Sequence, residues 1–338
     1  MAKTIIKRLL WSIFVLLGLS IIIFCILRIV PGDPARVALG PKASEETVAA
    51  YREEMHYNEA LPVQYGYWLK DLVSGDLGES LVTRRPVTQD LKEFLPATLE
   101  LVLLAGLLQI ILGQVIGVIC AAFHNRWPDI LIKIIGYIGV ATPAFVMAVF
   151  GLLIFGYWIP ILPSIGGRLS AGFDVPVITN FMLIDTLLAG NLAAFADAAG
   201  HIILPALSLS IGCMMQEAKM TRASMIDNKG KDYIAMAVTQ GVPKRIINAR
   251  FLLKPSIIPT VAIMGLDFAS LFGNAFLVEQ IFNWNGLSSY GINAMLQKDL
   301  NSVCAVVLVF GLVFILVNVL VDLIVAWLDP RMQQRTSA

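Results

Sequence analysis

Residues 97–123 read ATLELVLLAGLLQIILGQVIGVICAAF, a run in which Glu100 is the one charged side chain. A helix rises about 1.5 Å per residue, so about 20 mostly apolar residues cross the roughly 30 Å hydrocarbon layer of a bilayer. By that measure 97–123 is a membrane span, and four more stretches qualify with it: 9–30, 131–158, 257–281 and 303–328. A sixth, 202–220, is weaker: it opens Ile202-Ile203-Leu204-Pro205 and turns polar at Gln216-Glu217. The patchily apolar 177–195 is interrupted by Asp185, Gly190 and Asn191 and is assigned outside the bilayer.

Composition agrees with this solvent. The chain is 57% hydrophobic and 14% charged, with a mean hydropathy of +0.77, whereas soluble domains carry about 45–50% apolar and about 25% charged residues. Lys3, Lys7 and Arg8 ahead of the first apolar stretch resemble a signal peptide. That stretch is longer than the 7–15 residues of a typical signal core and lacks a small-x-small exit, so it reads as a retained first helix. The four cysteines, Cys25, Cys120, Cys213 and Cys304, sit singly in apolar runs and read as small buried hydrophobes.

The net charge of +1 says little, but charge placement sets the topology. The segment 218–255 holds eight basic residues (Lys219, Arg222, Lys229, Lys231, Lys244, Arg245, Arg250 and Lys254) against Asp227 and Asp232. Segment 31–96 is the reverse, with eleven acidic and seven basic residues. Basic short loops stay cytoplasmic, and six spans put 218–255, the N-terminus, Arg126 and the tail with Arg331 and Arg335 on one side. The reading is an all-α polytopic protein with six transmembrane helices and both termini cytoplasmic. Two external segments follow, 31–96 and 159–201. The first contains an expected amphipathic helix at 44–55 with Ser44 as cap and Glu45 and Glu46 in its first turn.

The cytoplasmic segment 218–255 is long for a connection. Its grammar is helix, turn, helix: Gly230 as a stop, Asp232 as cap of a helix over 233–240, Gly241 at the left-handed position after it, and Pro243 opening a second helix over 243–253. Arg245 sits on that second helix beside apolar Ile246 and Ile247. Physical reasoning leaves two readings open: a knob that docks in another protein's groove, or a hairpin resting on anionic headgroups.

Asp232-Tyr233-Ile234-Ala235-Met236-Ala237-Val238-Thr239-Gln240-Gly241 resembles the EAA loop of ATP-binding-cassette importer permeases, with Ala237 at the second alanine and Gly241 four residues on. It departs at Ala235, Met236 and Lys254, where the family carries an acidic or arginine residue, a small residue and proline. Further points are similar to the dipeptide, oligopeptide and nickel permeases: Pro31-Gly32-Asp33-Pro34, Gly75-Asp76-Leu77-Gly78-Glu79-Ser80, Arg85-Pro86-Val87, Thr142-Pro143-Ala144-Phe145, FLVEQIFNWNG at 276–286 and Asp329-Pro330-Arg331. The resemblance covers essentially the whole chain and is nearest to the dipeptide branch. It implies a type I importer permease in a bacterial inner membrane, with Asp232, Tyr233, Ala235, Ala237, Gly241, Pro243 and Arg245 in the ATPase-coupling loop. It also implies partners: a second homologous permease, two cytoplasmic ATPases that bind ATP and Mg, and an extracytoplasmic solute-binding protein. The expected activity is import of dipeptides or short oligopeptides, with nickel chelates or glutathione as alternatives.

No phosphate loop G-x-x-x-x-G-K-[ST], HExxH or GxSxG occurs, so the chain has no nucleotide-cradling, zinc-protease or hydrolase motif of its own. Neither a catalytic residue, a metal site, a resident cofactor nor a nucleic-acid partner is expected, and lipid surrounds the spans. Acids inside spans are costly and mark paths or inter-helix bonds. Asp267, Asn274 and Glu279 are the candidates for the substrate path, while Glu100 and Asp322 read as structural. A rival reading, an ion-coupled carrier with its proton site at Asp267 or Glu279, predicts uptake without any ATPase.

Overall fold

The computed structural model describes residues 2–29, 33–40, 42–163 and 165–328. The expectations placed on Pro31, Gly32, Asp329, Pro330, Arg331 and Arg335 lie outside the described residues, as do the side chains of Lys3, Lys7, Arg8 and Asp322. The regular elements described are all helical, and an isolated bridge joins Glu79 to Pro86. The chain divides into two compact units, one from 2–95 with 287–315, the other from 96–286 with the chain from Leu316 onward.

The first unit begins with α1 (Ala2–Ile29), followed by α2 (Pro34–Leu39), α3 (Glu45–Glu54) and α4 (Leu61–Ser74). Asp33 caps α2 by accepting from the Ala35 N–H at 3.2 Å. It also takes the Arg52 guanidinium at 2.6 Å, which holds its carboxyl below the usual range. Ser44 caps α3 as expected, accepting from the Thr47 N–H at 3.2 Å. Gly75 ends α4 at φ +86°, a region that favours glycine. The first turns of α5 (Val87–Ala122), α13 (Leu287–Leu296) and the start of α14 (Leu300–Leu328) complete the unit.

Two buried aspartates tie this unit together. Asp299 accepts from Ser80 Oγ, the Leu81 N–H and Ser302 Oγ, each at 2.7 Å. Asp90 accepts from Thr83 Oγ1, Arg85 and the Tyr290 hydroxyl, the last at 2.8 Å. Burial pushes the Tyr290 phenol up to about 12. Around this polar knot Leu287, Tyr290 and Val306 form an apolar cluster with Leu91, Phe94 and Leu95.

The second unit is built around α9 (Leu192–Lys229), against which α6 (Trp127–Ala141), α7 (Ala144–Gly151), α8 (Met182–Leu188) and α12 (Lys254–Phe282) pack. Asn191 caps α9 through the Ala194 N–H at 3.0 Å. Small residues set the close approaches, as in membrane proteins generally. A Cβ at Gly117 of α5 would meet Thr221 and the Ala218 carbonyl of α9, and one at Gly106 would meet the Phe268 ring of α12. The segment before α9 is pinned from α5. Glu100 accepts from Arg168 at 2.6 Å and from the Leu183 N–H at 2.7 Å. Asp185 accepts from Thr179 Oγ1 at 2.6 Å and from three neighbouring N–H groups. Burial alone would raise the Asp185 carboxyl, but these bonds together hold it below its ordinary value.

Among the described residues three helices are long and apolar enough to cross a membrane: α5, α9 and the Leu300–Val321 part of α14. Two bent pairs, Trp127–Ala141 with Ala144–Trp158 and Lys244–Val261 with Ile263–Phe282, raise the number to five if each is one span. The expected first span lies within α1 (Ala2–Ile29), whose apolar part with described side chains is Leu10–Ile26. The stretch expected as a single helix at 131–158 is broken at Thr142-Pro143, with a bend of 112°. Proline supplies no N–H and drives the residue before it out of the helical region, and Thr142 lies at φ −94°, ψ 125°. Beyond the break α7 widens into a π-helical stretch, Leu152–Trp158.

Candidate functional site

The segment expected to couple to a partner folds into a compact knob. Helix α9 ends at Lys229, α10 spans Asp232–Thr239, and a short α11 (Lys244–Ile246) opens into π-helical Ile247–Leu253. The second helix is therefore not a separate piece: the chain stays helical from Lys244 into α12, and Pro255 enters as its second residue. Pro243 lies just ahead of α11 at φ −56°, ψ 136°, as its cap rather than its first residue. Asp232 is the first residue of α10 rather than its cap. Lys231 holds that position with no side-chain bond, because the helix begins one residue earlier than its cap chemistry suggests. Gly241 takes the left-handed conformation expected of it, at φ +74°, with its N–H on the Val238 carbonyl at 3.0 Å.

The knob has a fixed back and an open front. Ile234 and Ala237 of α10 pack with Ile247 and Leu252 onto Ala121 of α5 and Met225 of α9, with Val118 and Phe251 at the margin. Tyr233 donates to the Phe251 carbonyl at 3.4 Å across the two arms. On the front, Met236 and Val238 are 60% and 59% exposed, beside exposed Tyr233 and Ile246. Ala235, Lys231, Lys244, Arg245 and Arg250 are exposed around them. An apolar patch rimmed with cations on a rigid base suits a protein groove of opposite charge.

The base of the knob is clamped to α6. Asp129, wholly buried in its first turn, accepts from Arg222 Nε at 2.6 Å and Nη2 at 2.8 Å, and from the Asn125 N–H at 2.8 Å. The Arg222 guanidinium holds this carboxyl well below the usual carboxylate range. Arg222 lies three residues before Met225, so the clamp fixes the end of α9 that carries the knob.

The path candidates divide. Asn274 is exposed on α12 and donates to the Ser270 carbonyl at 3.0 Å. Asp267 is 8% exposed, one residue from the exposed Leu266, and accepts from Gln216 of α9 at 3.3 Å. Glu279 is fully buried and accepts from Thr98 Oγ1 at 2.5 Å. A Cβ at Gly286 would fall on both groups. Beside it Trp284 donates to the Ala97 carbonyl at 2.9 Å and stacks under Arg168. Glu279 thus ties the end of α12 to α5 through Thr98. Three groups had no assigned role in the sequence: Asp90, Asp299 and Glu217. The signal for Glu217 was present, since it is the acid at which the weakest span turns polar.

Comparison with known proteins places this geometry. Residues 113–334 match the family described as binding-protein-dependent transport system inner membrane component. Residues 1–102 match its N-terminal membrane component. The chain is 36% identical over 330 residues to the probable D,D-dipeptide transport system permease protein DdpB of Escherichia coli strain K12, covering 97% of each chain. It is 35% identical over 327 residues to the dipeptide transport system permease protein DppB of Alkalihalophilus pseudofirmus, covering 97% of this chain and 98% of the relative. It is 32% identical over 336 residues to the glutathione transport system permease protein GsiC of Salmonella typhimurium, covering 99% and 100%. The chain belongs to the family of membrane permease subunits of binding-protein-dependent, ATP-binding-cassette importers.

Proposed function

We propose that this chain is one of two membrane-spanning subunits of an ATP-driven importer of dipeptides or short peptides, serving as conduit and coupler. The observation that carries the reading is the 232–253 knob, with its apolar front, cationic rim and back packed onto α5 and α9. A groove on a cytoplasmic ATPase that pushes on Met236, Val238 and Ile246 would move two spans through Ile234, Ala237 and Ile247. The partners are a second homologous permease, two ATPases that hold ATP and Mg, and an external solute-binding protein that docks on 31–96 and 159–201. The site is a bacterial inner membrane, with both termini inside.

The topology follows from charge. If the pair bent at Thr142-Pro143 returned to the side it entered from, the eight-cation segment 218–255 would face outward, against the basic-inside rule. Counting each bent pair as one crossing keeps that segment inside and gives six spans with Leu10–Ile26. Peptide cargo is supported by the dipeptide relatives at 35% and 36% identity. The 32% identity to a glutathione permease favours a second reading in which the cargo is glutathione, itself a short peptide. The test is a disulfide trap combined with transport. Met236→Cys should cross-link to a cysteine lining the ATPase groove, and the assembled complex should take up alanyl-alanine in preference to glutathione. Reversed preference would move the cargo to glutathione, and a knob that never cross-links would remove the coupling assignment.

A further inference from the structure

Unsatisfied polar groups are rare in native structures, and those of this chain are concentrated. Among the described residues nine buried side-chain atoms lack a hydrogen-bond partner, and six of them belong to Gln109, Gln114, Glu217 and Asp267. Both amide atoms of Gln109 and both carboxylate oxygens of Glu217 are unpartnered, and each residue is fully buried. Glu217 lies against Gly113 of α5, where an added Cβ would sit 3.1 Å from its Oε2. Gln109 is one turn earlier on the same helix, and so on the same face. From α12, Asp267 turns its Oδ2 into the interior with no partner, while Oδ1 takes the Gln216 amide. A buried polar group without a partner costs free energy, and a buried carboxylate costs more, so such a concentration marks a place built for something else to occupy.

The surroundings say what kind of occupant fits. The unmet groups include two carboxylates, and no cationic side chain pairs with either among the described residues. Asp267 lies on a polar seam between α9 and α12, where Gln216 donates to it at 3.3 Å and Cys213 meets Ser270 at 3.7 Å, and Glu217 follows Gln216 on α9. Further along the same two helices Thr221 meets Thr260 at 3.2 Å and Asn228 donates to Ser256 at 2.9 Å. The exposed face of α12 beside the seam carries Leu266, Ser270, Gly273 and Asn274, mostly small or polar and unlike a lipid-facing stripe. Gln216 is itself exposed. Its N–H group occupies the position that a stronger cationic donor would take on Asp267. No group of three metal-ligating side chains occurs among the described residues, which favours an ammonium over a divalent ion.

We propose that Asp267 and Glu217, with the Gln109 carbonyl, form a binding site for the primary ammonium of the peptide cargo, entered by displacing Gln216 from the seam. The site rests on the importer reading and deepens it. Asp267 receives the cation first, and Glu217 with Gln109 satisfies its remaining N–H groups as α9 and α12 separate.

The test uses the whole complex with its binding protein in proteoliposomes, and reads alanyl-alanine transported per ATP hydrolysed together with the melting temperature. Asp267→Asn and Glu217→Gln keep shape and remove charge, and each is expected to lower peptide per ATP by about tenfold or more. Gln216→Lys supplies a tethered ammonium at the seam. It is expected to raise the melting temperature and to lower peptide per ATP by a similar factor. Wild-type peptide per ATP in both acid variants overturns the site, as does a lower melting temperature in Gln216→Lys. Uptake and ATP hydrolysis falling in equal proportion in the acid variants overturns it too, by assigning them a structural role. Absence of uptake by the wild-type complex would instead count against the importer reading.

Discussion

Replacing Asp129 by asparagine tests whether the clamp beneath the knob holds the coupling end of α9 in place. Asp129 is fully buried and takes two bonds from Arg222, at 2.6 and 2.8 Å, while the Arg222 side chain is 18% exposed. An asparagine keeps the shape but removes the charge and turns an NH2 group toward existing donors. Breaking one side of a buried ion pair costs about 3–5 kcal/mol. Arg222 keeps some access to water, so the lower end, about 3 kcal/mol, applies here. If that energy goes into local opening, the open population rises on the order of a hundredfold. Cys120 reports it: the thiol is buried at 3% exposure on α5, within the electrostatic reach of Asp129 and Arg222. Site-resolved maleimide labelling of Cys120 in the intact complex should accelerate by about that factor in Asp129→Asn and in Arg222→Gln. The double variant should fall well short of the product, because the two side chains act as one unit. Labelling of Asp129→Asn at the wild-type rate, or full additivity of the two changes, would refute the reasoning. The pH dependence has a definite sign. A carboxyl whose folded pKa is depressed below 3.8 contributes stability above that value and loses it only as pH falls through the folded pKa. Labelling corrected for thiolate fraction should therefore be flat between about pH 6 and 8.

Two further outcomes follow from the packing. Gly286→Ala places a methyl group against Glu279 and Thr98. It should lower the melting temperature of the complex, by overpacking worth about 1–3 kcal/mol; unchanged melting would mean that the end of α12 is not locked as described. Tyr290→Phe removes the hydroxyl shared between Asp90 and Ser302 and should cost about 1–3 kcal/mol, read by hydrogen exchange in 287–296. Because burial raises the Tyr290 phenol to about 12, its contribution is complete below about pH 10 and is lost as pH rises through the folded value, so the Phe variant should differ equally at pH 6 and pH 9.

Much of the fold was legible because its signals are local. Ser44 and Gly241 each announce a helix end or turn through their own side chain or its absence, and the structure realises both. The break at Thr142-Pro143 was harder to read. Proline inside an apolar run kinks some helices and is absorbed by others: Pro96 and Pro205 lie within continuous helices here, whereas the helix bends by 45° just after Pro259. Which outcome occurs depends on neighbouring helices that the sequence does not display. The same holds for the candidate site. The turn of the knob is announced by Gly241 itself, whereas Asp90 and Asp299 take their roles from Tyr290 and Ser80, distant in sequence, and Glu217 from its burial against Gly113 of α5. Asp299 meets Ser80 across 219 positions. Glu279 likewise meets Thr98 across 181 positions, beside the turn at Gly286, neighbours that its place in a span does not announce.

The most direct test of the central claim is ATP-dependent dipeptide uptake by the reconstituted complex with and without Gly241→Val. Gly241 sits at φ +74° with no atom within 4 Å of an added Cβ. The substitution therefore acts through backbone strain of at least about 1–2 kcal/mol at the turn of the knob and not through a clash. The account expects the complex to assemble and uptake to fall by about tenfold, with Gly241→Ala intermediate. Full uptake by the valine variant would contradict the coupling role of the 232–253 knob, and uptake without the ATPase subunits would contradict ATP-driven import.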